Sequence, residues 1–220
     1  FDLWLTLIKS NPEYKIKRDL LFKAFFSIDA PIAEVSAVIR KFDILTNGIN
    51  EKVTRNLDTY EIYCLILDGL ELDLNGYNIQ QFETFYGHSE DLLMEYKPLL
   101  LDNDLPQVLK QLQDHNKTMN ILSNTAFIKG RSLRKILAHY GLDQYFAFQA
   151  YSDETGFSKP GAEMYDYAYQ QIRQLGSIEK HEVLHVGDNV ISDYDGALAY
   201  GFDAHLITHK TNDGSKLQPL

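Results

Sequence analysis

The sequence has little cysteine and no long apolar run. Cys64 is the single cysteine among the 220 residues, so no disulfide can form within this sequence, and a reducing cytoplasm is the expected location. No stretch approaches the roughly 18 apolar residues of a membrane-spanning helix, and no basic and apolar leader opens the chain. We therefore expect a cytoplasmic protein with no membrane partner.

Basic clusters with interleaved aromatic residues are also missing. The formal net charge of −10 opposes non-specific binding to nucleic acid or to anionic lipid. Hydrophobic residues make up 45% of the chain and charged residues 24%, close to the averages for globular domains. Nucleic acid is therefore not an expected partner, and the sequence does not indicate an oligomeric state.

The first part of the chain has the pattern of consecutive helices. Asn11-Pro12-Glu13 combines a capping residue, a proline and an early acid, which predicts a helix start. A second start at 29–31 leads into apolar residues at helical spacing, and Asn47-Gly48 predicts the end of that helix. Two further helices are predicted at 58–67 and 78–86. We expect residues 12–87 to form a helical unit.

The rest of the chain alternates between short apolar runs and helical patterns. Strands are predicted at 119–122, 146–150, 183–186 and 204–207, and helices lie between them. This alternation favours an α/β fold with a doubly wound, mostly parallel sheet, formed by residues 1–11 and 88–220, into which the helical unit is inserted. Phe1-Asp2 resembles the end of a buried strand, so we expect further apolar residues before Phe1. The polar segment from Thr211 is predicted to be a loose tail.

Polar side chains follow several of these predicted strands. Asp2 follows the first strand, with Thr6 four residues later, and Ser123 ends the second. Lys159 precedes a helix. Gly187-Asp188 ends a later strand, with Asp193 five residues on. In open α/β sheets, ligands bind beyond the carboxyl ends of the strands, so these side chains are candidates for one site.

Together these motifs resemble those of the haloacid dehalogenase-like superfamily, in which a helical cap lies between the first and second motifs. The resemblance implies an aspartate nucleophile, Asp2, which forms a covalent intermediate with a small-molecule substrate. It also implies that Thr6, Ser123 and Lys159 assist catalysis. The implied phosphate-binding residues are Leu3, Ser123, Asn124 and Lys159. The implied Mg²⁺ ligands are Asp2, the backbone carbonyl of Trp4, Asp188 and Asp193, with Asp193 either a direct ligand or a partner of one.

Trp4 departs from the pattern of the phosphatases in this superfamily, which carry a second aspartate there to protonate the leaving group. An aromatic residue at this position is similar to the 2-haloacid dehalogenases, whereas Gly187-Asp188 is similar to the metal-dependent phosphatases. The leading hypothesis is a Mg²⁺-dependent phosphohydrolase acting on a small phosphorylated metabolite. A 2-haloacid dehalogenase and a metal- or phosphate-binding protein without turnover remain as alternatives.

Other polar residues have less specific interpretations. His185 lies inside a predicted strand and is interpreted as a core residue, as is Cys64. The basic residues of the helical unit are expected to be solvated, although one of them could reach the substrate; they are Lys15, Arg18, Arg40 and Arg55.

Overall fold

The structure, a computed structural model, describes residues 1–208, in which a helical stretch is followed by alternating strands and helices. Strands β1 (Ile8–Lys9) and β2 (Leu99–Leu100) flank the helical stretch and pair antiparallel. The helices between them are α1 (Pro12–Phe25), α2 (Ile32–Val53), α3 (Thr59–Gly69) and α4 (Ile79–Glu95). The following elements are α5 (Leu105–Asp114), β3 (Met119–Ser123), α6 (Gly130–His139), β4 (Phe146–Tyr151), α7 (Ser152–Thr155), α8 (Ala162–Leu175), β5 (Leu184–Gly187), a π-helical turn (Val190–Asp195), α9 (Gly196–Tyr200) and β6 (Asp203–Leu206). The predicted tail from Thr211 lies outside the described residues.

The central sheet is built from parallel pairs joined through the first residues of the chain. Strand β3 pairs parallel with β4, and β5 pairs parallel with β6. The Phe1 carbonyl accepts a hydrogen bond from Leu122 N, and Asp2 N donates to the Val186 carbonyl. Residues 1–2 therefore lie between β3 and β5, and they bring the ends of both strands to the same edge. The α/β prediction is confirmed.

Helices cover both faces of this sheet. Ile121 packs in one apolar cluster with Leu109 of α5 and Leu133 of α6. Its neighbour Leu122 packs in another cluster with Met164 of α8. Successive residues of a strand point to opposite faces, so the two clusters lie on opposite sides of the sheet. This arrangement is doubly wound, as the sequence predicted.

The helical unit has its own aromatic core. Phe22 of α1 meets Tyr63 of α3 and Phe85 of α4 edge to face, with ring centroids 5.9 and 5.2 Å apart. Such pairs contribute about 0.5–1.5 kcal/mol beyond the burial of their area. Phe127, which follows β3, packs in the same cluster. The segment after β3 therefore contacts both the sheet and the helices.

The predicted end of the second helix at Asn47-Gly48 is wrong, because α2 continues to Val53. The Thr46 hydroxyl and the Asn47 amide donate to carbonyls one turn earlier, at 2.7 and 2.8 Å. These bonds keep both side chains within the helical pattern, so the turn signal is overridden. The helix ends only at Thr54, which has a left-handed backbone with φ of 57°.

The fourth helix is also longer than the sequence pattern predicted. It runs to Glu95, since Leu93 packs with Tyr14 of α1 and Ile136 of α6 in a separate apolar cluster. The boundary between the helical unit and the core, predicted at residues 87–88, therefore falls inside α4. The described part of the chain forms no helix that is both long enough and apolar enough to cross a bilayer.

Candidate active site

Asp2 is the residue around which the candidate site is built. It is 6% exposed, and its Oδ1 accepts hydrogen bonds from Ser123 Oγ and Lys159 Nζ, both at 2.9 Å. Thr6 Oγ1 lies 3.5 Å from the other carboxylate oxygen. The four residues predicted to be catalytic are thus brought together at the sheet edge. Burial is the largest influence on the pKa of Asp2 and raises it, whereas the positive charge of Lys159 acts in the opposite direction.

Lys159 is a buried cation held between two carboxylates. Its side chain is 1% exposed, and Nζ donates to both Asp2 and Asp193. Burial disfavours the charged ammonium, but the two carboxylates outweigh it and hold the pKa of Lys159 above its usual value. The lysine therefore stays protonated, and it can neutralise charge that develops on a substrate.

Asn124 fixes the backbone that carries this lysine. Its Oδ1 accepts from Lys159 N at 2.8 Å, and its Nδ2 donates to the Lys159 carbonyl at 2.9 Å. Both ends of the amide are therefore in use, although Asn124 was predicted to bind phosphate. Leu3, predicted for the same role, is fully buried in the apolar core, so only its backbone could contact a ligand.

Three carboxylates converge beside the lysine. Asp2, Asp188 and Asp193 each offer an oxygen, and these oxygens lie within 4.8 Å of one another. Burial, then the charges of Asp2 and Asp193, raise the pKa of Asp188 to about 7. Mg²⁺ prefers oxygen ligands such as these three neighbouring carboxylates, so the residues present fit the implied metal. The backbone turn that follows Trp4 is held by hydrogen bonds to the carbonyl oxygens of Leu3 and Ile8. None of these bonds uses the carbonyl oxygen of Trp4, the fourth implied metal ligand.

Asp193 is the most firmly held of these acids. Its Oδ1 accepts from Lys159 and from His185 Nε2, the latter at 2.9 Å, and its Oδ2 accepts from Asn189 N at 3.0 Å. Burial alone would raise the pKa of Asp193, but Lys159 and His185 bring it below its usual value. Most of its acceptor capacity is thus used by the protein, which favours a role beside a metal ligand.

His185 is buried as predicted, yet it also contacts the site, which the sequence interpretation missed. Burial is the main cause that lowers the pKa of His185 to about 4, so the ring is neutral and orients Asp193. One feature of the sequence could have revealed this contact. Side chains alternate along a strand, so His185 and Gly187 lie on the same face, just before Asp188.

Gly187 is required by the position of Asp193. A Cβ at residue 187 would lie 2.3 Å from Asp193 Cγ. The carboxylate cannot move away without breaking its bonds to Lys159, His185 and Asn189. We therefore expect Gly187→Ala to lower the free energy of unfolding by about 1–3 kcal/mol, the usual cost of overpacking, and to reduce activity.

Urea denaturation measures this effect, and Gly87→Ala is the matched control. Gly87 lies within α4 and has open space around its Cβ position. Alanine there should be neutral or stabilise the protein by up to about 1 kcal/mol. Equal unfolding midpoints for Gly187→Ala and the parent protein would contradict the packing argument.

A cavity of about 670 Å³ opens above these residues, between the sheet edge and the helical unit. Asp2, Trp4, Lys159 and Asp188 line it on the sheet side. The helical unit contributes Lys15, Arg18 and Glu51, among others.

Glu51 bridges the two parts of the protein, and the sequence did not identify it. Its Oε2 accepts from Ser192 Oγ at 3.0 Å. Glu51 lies in the last turn of α2, beyond the helix end predicted at Gly48, so the pattern gave no reason to place it near the site.

Sequence comparison shows which known proteins this chain resembles. The family model described as haloacid dehalogenase-like hydrolase matches residues 1–201. An uncharacterized hydrolase from Schizosaccharomyces pombe is 34% identical over 118 residues, which are 52% of this chain and 48% of that protein. The pyrimidine 5'-nucleotidase YjjG of Escherichia coli is 36% identical over 83 residues, which are 38% of this chain and 34% of that protein. The chain thus spans half or less of the length of these relatives.

A solved structure extends the likeness to the whole fold. The HAD-hydrolase YfnB from Bacillus subtilis, bound to magnesium, has a TM-score of 0.67 at 19% identity, covering 94% of this chain and 86% of that one. At this identity the likeness shows the fold alone. Because the family model covers nearly all of the described residues, the chain belongs to the haloacid dehalogenase-like hydrolase family.

Proposed function

We propose that this hydrolase is a Mg²⁺-dependent phosphohydrolase that acts on a small phosphorylated metabolite. The observation that carries the proposal is the cluster of Asp2, Asp188 and Asp193 beside the buried ammonium of Lys159. A cation and an ammonium at one point can hold a dianionic phosphoryl group, which bare carboxylates would repel. The relative YjjG also supports the proposal, because it is named a nucleotidase and nucleotidases release phosphate.

In this proposal the residues divide the chemistry between them. A carboxylate oxygen of Asp2 attacks phosphorus, the bond to the leaving oxygen breaks, and water then hydrolyses the aspartyl phosphate. Lys159 stabilises the charge on the phosphoryl oxygens, and the Ser123 and Thr6 hydroxyls donate hydrogen bonds to the same group. Asp188, Asp2 and the Trp4 carbonyl would hold Mg²⁺, which when bound supplies further electrostatic stabilisation of the phosphoryl charge.

Trp4 narrows the range of substrates. An indole ring cannot donate a proton to a departing alkoxide, and a positioned general acid typically contributes about 10²–10⁴ in rate. We therefore propose substrates with a good leaving group, or with an acid supplied by the helical unit or by the substrate itself. With one cysteine and a net charge of −10, the expected setting is the reducing cytoplasm, without nucleic acid.

A chelation experiment tests the proposal. The protein should hydrolyse acetyl phosphate and para-nitrophenyl phosphate with Mg²⁺, lose this activity in excess EDTA, and regain it when Mg²⁺ is restored. Phosphate release is the readout. Hydrolysis that proceeds unchanged in EDTA would remove the metal from the mechanism.

The second candidate function is hydrolysis at carbon, as in a 2-haloacid dehalogenase, and Trp4 is the observation that favours it. A halide leaves without a proton, so an aromatic residue at this position costs nothing there. Chloride release from 2-chloropropionate that is insensitive to EDTA would support this function. If neither the two phosphate substrates nor 2-chloropropionate is turned over, while beryllofluoride with Mg²⁺ raises the melting temperature, the chain is a binding protein.

A further inference from the structure

The helical unit places two cations on the wall of the cavity. Lys15 and Arg18 lie three residues apart on α1, so they share one face of the helix, and both line the cavity that contains Asp2. Lysine and arginine side chains are normally solvated on the outer face of such a helix. Their presence on the cavity wall therefore needs an explanation.

Arg18 already has partners within the protein. Its Nε and Nη2 donate to Asp19 Oδ1 at 3.0 and 2.8 Å, and its guanidinium lies over the Phe127 ring, 4.9 Å from the centroid. These contacts hold the group in place with its side chain 12% exposed. Arg18 is thus a fixed element of the wall.

Lys15 differs from Arg18 because it has no such partner. Within residues 1–208, its ammonium takes part in no hydrogen bond or ion pair, although the side chain is partly buried. Burial is the main cause that lowers the pKa of Lys15; the charge of Asp43, the next largest influence, acts in the opposite direction, and Arg18 and Arg40 act with burial. A partly desolvated cation with no partner gains from an incoming anion.

The charged residues that the helical unit places on the cavity wall are Lys15, Arg18, Asp43 and Glu51, so this wall carries no net charge. Arg18, Arg40, Asp19 and Asp43 are the charged groups that act on Lys15, and Asp43 is engaged with Arg40 at 3.1 Å. Asp19 is paired with Arg18, and Glu51 accepts a hydrogen bond from Ser192, so each of these carboxylates already has a partner within the protein. The sheet side of the cavity, in contrast, collects Asp2, Asp188 and Asp193.

We propose that Lys15, on the wall stiffened by Arg18, binds a second anionic group of the substrate. The substrate class is then a phosphorylated metabolite that also carries a carboxylate or a second phosphate. A cavity of about 670 Å³ is within the usual range of about 300–1,000 Å³ for small-molecule sites. This inference rests on the proposed phosphohydrolase function for the identity of the first group only.

Binding of non-hydrolysable phosphonates tests the inference without any turnover. In the presence of Mg²⁺, para-(phosphonomethyl)benzoate should bind at least about ten-fold more tightly than para-(phosphonomethyl)benzamide, because a charge-assisted bond replaces a neutral one. Isothermal titration measures both affinities. The corresponding bisphosphonate distinguishes a site for phosphate from one for carboxylate.

Variants assign the preference to the lysine. Lys15→Met keeps the aliphatic stem and should abolish the preference, whereas Lys15→Arg should retain most of it. Lys41→Met is the matched control, since Lys41 is exposed on α2 and does not line the cavity. With carboxyphenyl phosphate as substrate, Lys15→Met should raise KM about ten-fold and leave kcat unchanged.

The outcomes separate this inference from the proposed function. If the parent protein binds the benzoate and the benzamide equally, or if Lys15→Met keeps the preference, the anion site is refuted while phosphatase activity stands. If the preference depends on Lys15 but no phosphate ester is hydrolysed, the anion site stands and the phosphohydrolase function fails.

Discussion

Replacing Asp2 with asparagine is expected to reduce phosphate release by at least about 10³-fold, because the loss of a covalent nucleophile removes the reaction path itself. The amide cannot attack phosphorus at a useful rate. The fold should persist, since Lys159 keeps its second carboxylate partner, Asp193. Steady-state hydrolysis of para-nitrophenyl phosphate measures the loss, and circular dichroism checks the fold.

Asp203→Asn provides the matched control for this substitution. Asp203 is exposed in β6 and does not line the cavity, so the same chemical change there should leave activity within about two-fold of the parent, as most surface substitutions do. Retention of full hydrolysis in Asp2→Asn would refute a covalent aspartyl mechanism, whatever the metal dependence.

Trp4→Asp should have the opposite effect on one class of substrate. An aspartate at this position can protonate a departing alkoxide and then activate water, so alkyl phosphate hydrolysis should rise by about 10²–10⁴-fold. Aryl and acyl phosphates need less help and should gain much less. The ratio of alkyl to aryl turnover is therefore the measurement, made at saturating Mg²⁺.

Trp4→Asn separates proton transfer from the creation of space. Trp4 is partly buried at the cavity wall, so both substitutions open similar room, but only aspartate can carry a proton. An equal gain in both variants would mean that the indole merely blocks large substrates. No gain in either would show that proton donation is not what limits alkyl substrates.

Much of the fold could be predicted because local patterns and tertiary packing agree. The alternation of short apolar runs and helices after residue 100 corresponds to β3–α6–β4 and the later elements within a few residues. The signal Asn11-Pro12-Glu13 marks the start of α1, where the Asn11 side chain accepts from Glu13 N. Helix ends were less predictable: α2 passes through Asn47-Gly48 because side chains back-bond to the helix.

Parts of the site could not be read from the chain, since their role depends on partners far away in sequence. From the sequence, His185 is interpreted as a core residue, and only the structure shows its hydrogen bond to Asp193. Asn124 looks like a ligand-binding amide, yet it clamps the backbone of Lys159. Lys15 differs from other surface lysines only by the cavity it lines. Apart from the strand alternation that places His185 on one face with Gly187, none of these roles leaves a local pattern in the sequence.

The sequence by itself determined the kinds of residue at the strand ends and their order, from Asp2 to Asp193, because strand and helix signals are local and place polar groups after apolar runs. Only the tertiary structure decided that those ends meet, since residues 1–2 lie between β3 and β5. It also decided which side chains remain free for a ligand, because hydrogen bonding and burial are settled between distant segments rather than along the chain.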